Sequence, residues 1–253
     1  MKKTILFALL LFASSVHAQA LFQIQKAAST GPVAAYVQGC NGSNGGVSTI
    51  ACTPSGNVTN GDIIACFGDW DTSLTLSGIA KSSGTATVGT FNDWGAGGTT
   101  LTAVISTTFG STMGYAQVTG TGTATLTLTV TGGTGNLRII CHDISGGAVS
   151  SPKDSAILVA QSSPGTGTNG VTTTPAQTTT QNGDYLFGVC YDIGGNASSV
   201  AAGTGYTLRD NVSAARTTES QIQAASSAST VATYTTTGGG GDVWFVGVMA
   251  FKP

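Results

Sequence analysis

Residues 119–144 read TGTGTATLTLTVTGGTGNLRIICHDI, and this alternation restricts the fold more than any other stretch of the chain. Ala124, Leu126, Leu128 and Val130 take every second place, with Thr123, Thr125, Thr127, Thr129 and Thr131 between them. Successive side chains of a strand point to opposite faces, so the run has one aliphatic face and one threonine face. Gly132-Gly133 and Gly135-Asn136 supply a turn, and 137–141 resumes as a more buried apolar run. The pattern predicts an antiparallel hairpin with one wet and one dry face. That is the unit of an all-β antiparallel sandwich, here expected to be jelly-roll-like and built from two similar halves.

Composition points the same way. Only 8% of the residues are charged, Glu219 is the sole glutamate, and there are 37 glycines. So few Glu, Lys and Arg leave little material for amphipathic helices, while Thr and Val favour strands. A hydrophobic content of 40% argues for a packed core over disorder.

The N-terminus has the layout of an export signal. Lys2 and Lys3 precede an apolar run at 5–13, and Val16-His17-Ala18 fits the small-x-small cleavage rule. Residues 1–18 are read as a signal peptide, with cleavage after Ala20 the alternative. The run is too short to span a bilayer, and no second run reaches that length. The expected location is secreted or at the cell surface, or else the periplasm. Losing Lys2 and Lys3 leaves seven basic residues against eleven acidic ones, a net charge near −4. Without a basic patch, nucleic acid and anionic membranes are disfavoured as partners.

The cysteines are Cys40, Cys52, Cys66, Cys141 and Cys190. In an oxidising compartment disulfides are the first expectation. Cys40 and Cys52 bracket part of a Gly/Asn/Ser-rich stretch, 39–60, read as a loop that they staple. Cys66 and Cys141 sit in apolar runs and either bridge neighbouring strands or fill core. Cys190 is the odd one, expected as a buried thiol. Metal chelation by cysteine is a poor alternative, since no CxxC pair exists and only one histidine survives cleavage.

Internal echoes organise the remainder. Asn60-Gly61-Asp62 introduces an apolar strand at 63–70, and Asn182-Gly183-Asp184 introduces another at 185–191. Gly-rich 238–241 leads into DVWFVGVMAF as 132–136 leads into LRIICHDI. Residues 19–60 are assigned to an opening strand and the disulfide loop, and 61–253 to one sandwich domain. The alternative is two sandwiches split near 161–182.

The succession NGD and apolar strand, Gly-rich loop, GYTLRDN, ESQIQAA, ATYTTT and GGDVWFVGVMAFKP resembles a recurring secreted bacterial β-sandwich module of jelly-roll type. It covers about 61–253. The resemblance implies the fold and an exported or cell-surface setting, and it carries over no catalytic residues.

Few routes to catalysis are visible. A nucleophile system of Ser-His-Asp or Cys-His type needs a histidine, and the mature chain has only His142, read as a partly exposed strand-end residue. Asp69 and Asp71 have i, i+2 spacing, which in a strand puts both on one face about 6.5 Å apart. That suits a glycosidase carboxylate pair or, with Ser73, two or three calcium ligands. An EF-type loop would also need a central Gly and a closing Glu, which are missing. Trp94, flanked by Asn92, Asp93 and Gly95, has the chemistry of a sugar platform, with a flat ring beside hydroxyl-bonding groups. Trp70, between Asp69 and Asp71, is a candidate to join it, whereas Trp244 in an apolar run reads as core.

The expected function is therefore a non-catalytic carbohydrate-binding or adhesion module acting on an extracellular glycan or cell-surface polymer. Its candidate ligand-binding residues are Trp94, Asn92, Asp93, Trp70, Asp69 and Asp71. No cofactor is expected, calcium being the one candidate ion. The alternatives are a glycan hydrolase using Asp residues and a self-associating fibre subunit whose Thr-faced strands pair edge to edge.

Overall fold

The computed structural model describes residues 33–71, 73–92, 102–104, 109–162, 168–173, 175–193, 197–213, 216–238 and 243–253. The chain divides into the units Met1–Val33 and Ala34–Pro253, and every strand described lies in the second. The earlier strands are β1 (Ala35–Val47), β2 (Thr49–Cys52), β3 (Ile63–Asp71), β4 (Thr75–Ser83), β5 (Thr87–Val88), β6 (Thr102–Val104), β7 (Phe109–Gly120), β8 (Thr125–Thr131) and β9 (Gly135–Ser145). The later ones are β10 (Lys153–Ser162), β11 (Thr168–Thr172), β12 (Tyr185–Asp192), β13 (Ala197–Ala202), β14 (Thr207–Ser213), β15 (Arg216–Ile222), β16 (Thr233–Gly238) and β17 (Val243–Phe251).

These strands form an all-β antiparallel sandwich in two similar halves. The first half has a large sheet, β1-β9-β3-β7-β5 with β6 also on β7, and a small sheet, β2-β8-β4. The second repeats it with β10-β17-β12-β15-β14 and β11-β16-β13. In each half the first strand pairs with the last, and the second with the last but one. The NGD turns show how closely the halves match. Gly61 N donates to Val118 O and Val118 N to Asp62 O (2.9 and 2.8 Å). Gly183 N donates to Gln223 O and Gln223 N to Asp184 O (2.7 and 2.8 Å). Gly61 and Gly183 hold φ of 97° and 86°, a region that glycine enters without steric cost.

Three cores follow from the strand periods. Ile64, Cys66 and Trp70 of β3 face Leu126, Leu128 and Val130 of β8 in the first. Ile63, Ala65 and Phe67 point the other way and meet Phe187, Val189, Phe245 and Met249 in the second. Leu186 and Cys190 of β12 with Trp244 and Val246 of β17 face Tyr234 in the third. The second core lies between the two large sheets and joins the halves. β3, β12 and β17 are buried on both faces, which is why IIACF and WFVGVMAF are apolar without alternation. β8 belongs to a small outer sheet, so its threonines stay at least partly exposed and its alternation is clean. Gly247 of β17 packs against Met113 of the first half, and a Cβ there would collide with its Sδ.

Three expectations are corrected. Residues 119–144 do not form a hairpin: β8 pairs with β2 and β4, and β9 pairs with β1 and β3. The turn at Gly132-Gly133 carries the chain from one sheet to the facing one, so the two dry faces meet across a core and not side by side. The 39–60 stretch is not simply a loop, since it holds most of β1 and all of β2. Pairing with β9 and β8 supplies its backbone hydrogen bonds, so Gly, Asn and Ser are tolerated there despite weak strand preference. His142 is neither exposed nor at a strand end, but fully buried within β9.

The expected Cys40–Cys52 disulfide is present and ties β1 in the large sheet to β2 in the small one. Cys66 and Cys141, left open between bond and core, form a second disulfide with a Cα–Cα distance of 4.1 Å. Cys190 is free and buried, and Trp244 is core.

Phe187 is fully buried in the joining core. Phe187→Ala should lower stability by about 3–5 kcal/mol, measured by urea unfolding. Because the halves share that core, tryptophan fluorescence and far-UV circular dichroism should report one common transition. Two separated transitions in the parent protein would show that the halves unfold independently.

Candidate functional site

Of the residues singled out on β3, Asp69 and Trp70 lie inside the sandwich and Asp71 is partly exposed at the strand's end. Asp69 and Asp71 share a face, as their spacing predicts, and Asp69 is fully buried toward the joining core. Arg138 on β9 donates to its Oδ1 at 2.7 Å. Burial pushes the Asp69 carboxyl up to about 6, with Arg138 and then Arg216 opposing the shift. Asp71 accepts hydrogen bonds from Asn136 N and Nδ2 (2.7 and 3.2 Å). Trp70 points the opposite way into the first core and covers Gly110, where a Cβ would sit 2.6 Å from its ring. Asn92 is exposed and exchanges backbone bonds with Tyr115, and Ser73 is exposed. Tyr115 lies four residues along β7 from Ser111, the partner of Asp69, roughly 13 Å at strand spacing. Asp93 and Trp94 lie outside the described residues. A soft-ligand grouping among the described residues, the sulfurs of Cys40, Cys52 and Cys141 within 4.8 Å, is already committed to disulfides.

The structure gathers chemistry elsewhere, at one edge of the joining seam where β1 meets β14 and β15. His142 Nδ1 is 2.9 Å from Tyr185 Oη, and Nε2 is 2.8 Å from Thr218 Oγ1. Asp210 Oδ2 lies 3.5 Å from the same Nε2 and accepts the Tyr36 hydroxyl at 3.2 Å. The Arg209 guanidinium lies 4.4 Å over the Tyr36 ring, and its Nε donates to Ser220 Oγ at 2.8 Å. β14 reaches this edge with its pairing to β15 broken between Leu208 and Asn211. That irregularity lets the neighbours Arg209 and Asp210 both contact Tyr36, which a regular strand would prevent. Gly39 on β1 is also required, because a Cβ there would collide with the Asp210 carboxylate.

A cavity of about 240 Å³ opens beside the cluster. Its lining includes Tyr36, Tyr185, Thr207, Arg209, Ser220 and Gln221, with no carboxylate. Electrostatically the cluster is resting. Burial, then Arg209, holds the His142 imidazole down at about 3, so it is neutral at any ordinary pH. Burial raises the Tyr36 phenol to about 12 and the Tyr185 phenol further. Burial also raises the Asp210 carboxyl, with the Tyr36 hydrogen bond and then Arg209 opposing the shift. What the arrangement does is hold donors in fixed places around a small opening.

Sequence reasoning passed over Tyr36, Thr207, Arg209, Ser220 and Gln221. Tyr36 lies on β1, far in sequence from the paired strands β14 and β15 that carry the others, and only Arg209, one of nine basic residues in the chain, stands out by type. No protein-family model, curated protein or solved structure matches this chain.

Buried carboxyls set the pH response. In the first half Asp143 faces Asp62 and accepts Gln38 Nε2 at 2.9 Å, and burial raises it to about 7. In the second half burial and then Asp154 raise Asp184 to about 7. Burial raises Glu219 to about 8. Each folded-state value exceeds the unfolded one, so each contribution is complete at low pH and lost as pH rises through 7–8. His142 has the opposite sign, but its loss begins only as pH falls below 6.5. The melting temperature should therefore be higher at pH 6.5 than at pH 8.5. Asp143→Asn, which keeps the acceptor for Gln38, should raise the value at pH 8.5 and narrow the difference.

Proposed function

We propose that this protein is a non-catalytic, exported carbohydrate-binding module, serving adhesion to an extracellular glycan or cell-surface polymer. The observation that carries the reading is the seam cavity. Its Tyr36 hydroxyl is held on Asp210, its Tyr185 hydroxyl on His142 and its Arg209 guanidinium on Ser220, with the Gln221 amide and Thr207 hydroxyl beside them. Its volume suits about one sugar unit. Sugar hydroxyls are met by such fixed donors and acceptors at little entropic cost. Two disulfides agree with an oxidising, exported setting. The nested strand order of each half supports a jelly-roll winding, an architecture that hosts lectins among other proteins.

A glycan array probed with the mature protein tests the reading, followed by titration calorimetry on the ligands found. Gln221 lines the cavity and is half-buried. Gln221→Ala should weaken binding by roughly fivefold or more, corresponding to about 1 kcal/mol, with little change in melting temperature. Trp94→Ala distinguishes the two sites. Loss of binding there, with Gln221→Ala unaffected, would assign the ligand to Trp94.

A further inference from the structure

Arg209 is the one ionised side chain lining the seam cavity, and its setting differs from those of the other two arginines. Arg138 is ion-paired to Asp69 at 2.7 Å. Arg216 donates to Tyr191 Oη at 3.1 Å and lies 4.4 Å over that ring. Arg209 has its Nε on Ser220 and its plane against Tyr36, and no carboxylate lies within ion-pair distance of it among the described residues. A guanidinium held by Nε and by one flat face keeps its two terminal amino groups in a known plane, the geometry that receives a carboxylate in a two-point bond.

The aromatic platform expected of a neutral-sugar site is already occupied. Arg209 covers the Tyr36 ring, and His142 meets that ring at 5.0 Å and 84°. Tyr185 is buried, with its hydroxyl on His142. Recognition therefore falls to Arg209, with Gln221, Thr207 and Ser220 beside it, and not to stacking. The nearest acid, Asp210, accepts the Tyr36 hydroxyl and faces His142, so the cluster itself engages it.

We infer that the seam cavity selects a carboxylate-bearing sugar, a uronic acid within a glycan, with Arg209 receiving the carboxylate and Gln221 and Thr207 the adjacent hydroxyls. This rests on the carbohydrate-binding reading and supplies its ligand class. In a chain with a net negative charge, one unpaired cation at a pocket also gives a preference that general electrostatics would oppose, so the selectivity must be local.

The test is titration of the mature protein with oligogalacturonate, oligomannuronate and hyaluronan oligosaccharides, each compared with its carboxyl methyl ester. Esterification removes the charge and nearly preserves the shape. At least one acid should bind roughly tenfold or more tightly than its ester, the range of a charge-assisted pair. The difference should shrink between 50 and 500 mM salt, where an exposed pair is progressively screened. Arg209→Gln should abolish the difference between acid and ester, and Arg209→Lys should retain part of it. Equal binding of acid and ester, or a difference that survives in Arg209→Gln, overturns the assignment while leaving carbohydrate binding intact. Binding of sulfated chondroitin oligosaccharides but of no uronate without sulfate also overturns it, in favour of a sulfate site. Absence of binding to these and to every neutral glycan removes the underlying reading as well.

Discussion

The contact on which the rest depends is the apolar seam between the two large sheets. Phe67, Met113 and Ile144 from one half meet Phe187, Val189, Phe245 and Met249 from the other. Burying a side chain of this size is worth on the order of 1.5–3 kcal/mol, so the seam is a core in its own right and not a loose docking of finished domains. It makes the central strands β3, β12 and β17 of the large sheets a middle layer with no face left to water. The small sheets are the outer layers, and they carry the threonines of β8 and β16. The composition of β3, β8, β12 and β17 follows from their layers.

The same seam makes its polar residues consequential. Asp69, His142 and Thr218 on the seam, and Glu219 on the other face of β15 toward the third core, are completely buried in a chain that is otherwise poor in charge. A buried polar group is costly unless it is partnered, and most of these are. Arg138 satisfies one oxygen of Asp69, and His142 bonds through both ring nitrogens. Glu219 Oε2 accepts Gly203 N at 3.0 Å, while Oε1 has no partner, consistent with a carboxyl that keeps its proton to high pH. Such groups add little net stability. Of these contacts, the His142 bonds to Tyr185 and Thr218 run between the halves, so they help fix how the second half is turned on the first. The cavity at the seam's edge has walls that belong to both halves, Ala35 and Tyr36 from one and Thr207, Arg209 and Gln221 from the other.

Much of this architecture was legible in the residues. Alternating threonine and aliphatic side chains at 123–131 declared a strand with one wet face, and the repeated Asn-Gly-Asp declared two similar halves. The spacing of Cys40 and Cys52 declared their bond. These are local signals, set by a period of two and by turn chemistry, and they survive whatever surrounds them. Pairing partners are not local. A Gly-Gly turn between two strands serves a hairpin or a crossing between sheets equally well, so nothing within 119–144 separates them. The Gly-rich β1 looked like a loop because its strand character comes from β9, about a hundred residues away.

The candidate site lay beyond the sequence for the same reason. Asp69 and Trp70 are attractive as neighbours in a list, but a strand between two cores sends one into each, away from solvent. His142 looked like a strand-end residue and is the centre of a buried network. Tyr36, Arg209 and Gln221 have no motif in common and become a site only when β1 of one half is laid against β14 and β15 of the other. By itself, the sequence determined the all-β class, the strongest strands, the wet and dry faces of β8, the NGD turns and one disulfide, because backbone geometry and side-chain period act over a few residues. Only the tertiary structure decided which face met which core and which distant polar groups converged, because burial and contact depend on the whole packed chain.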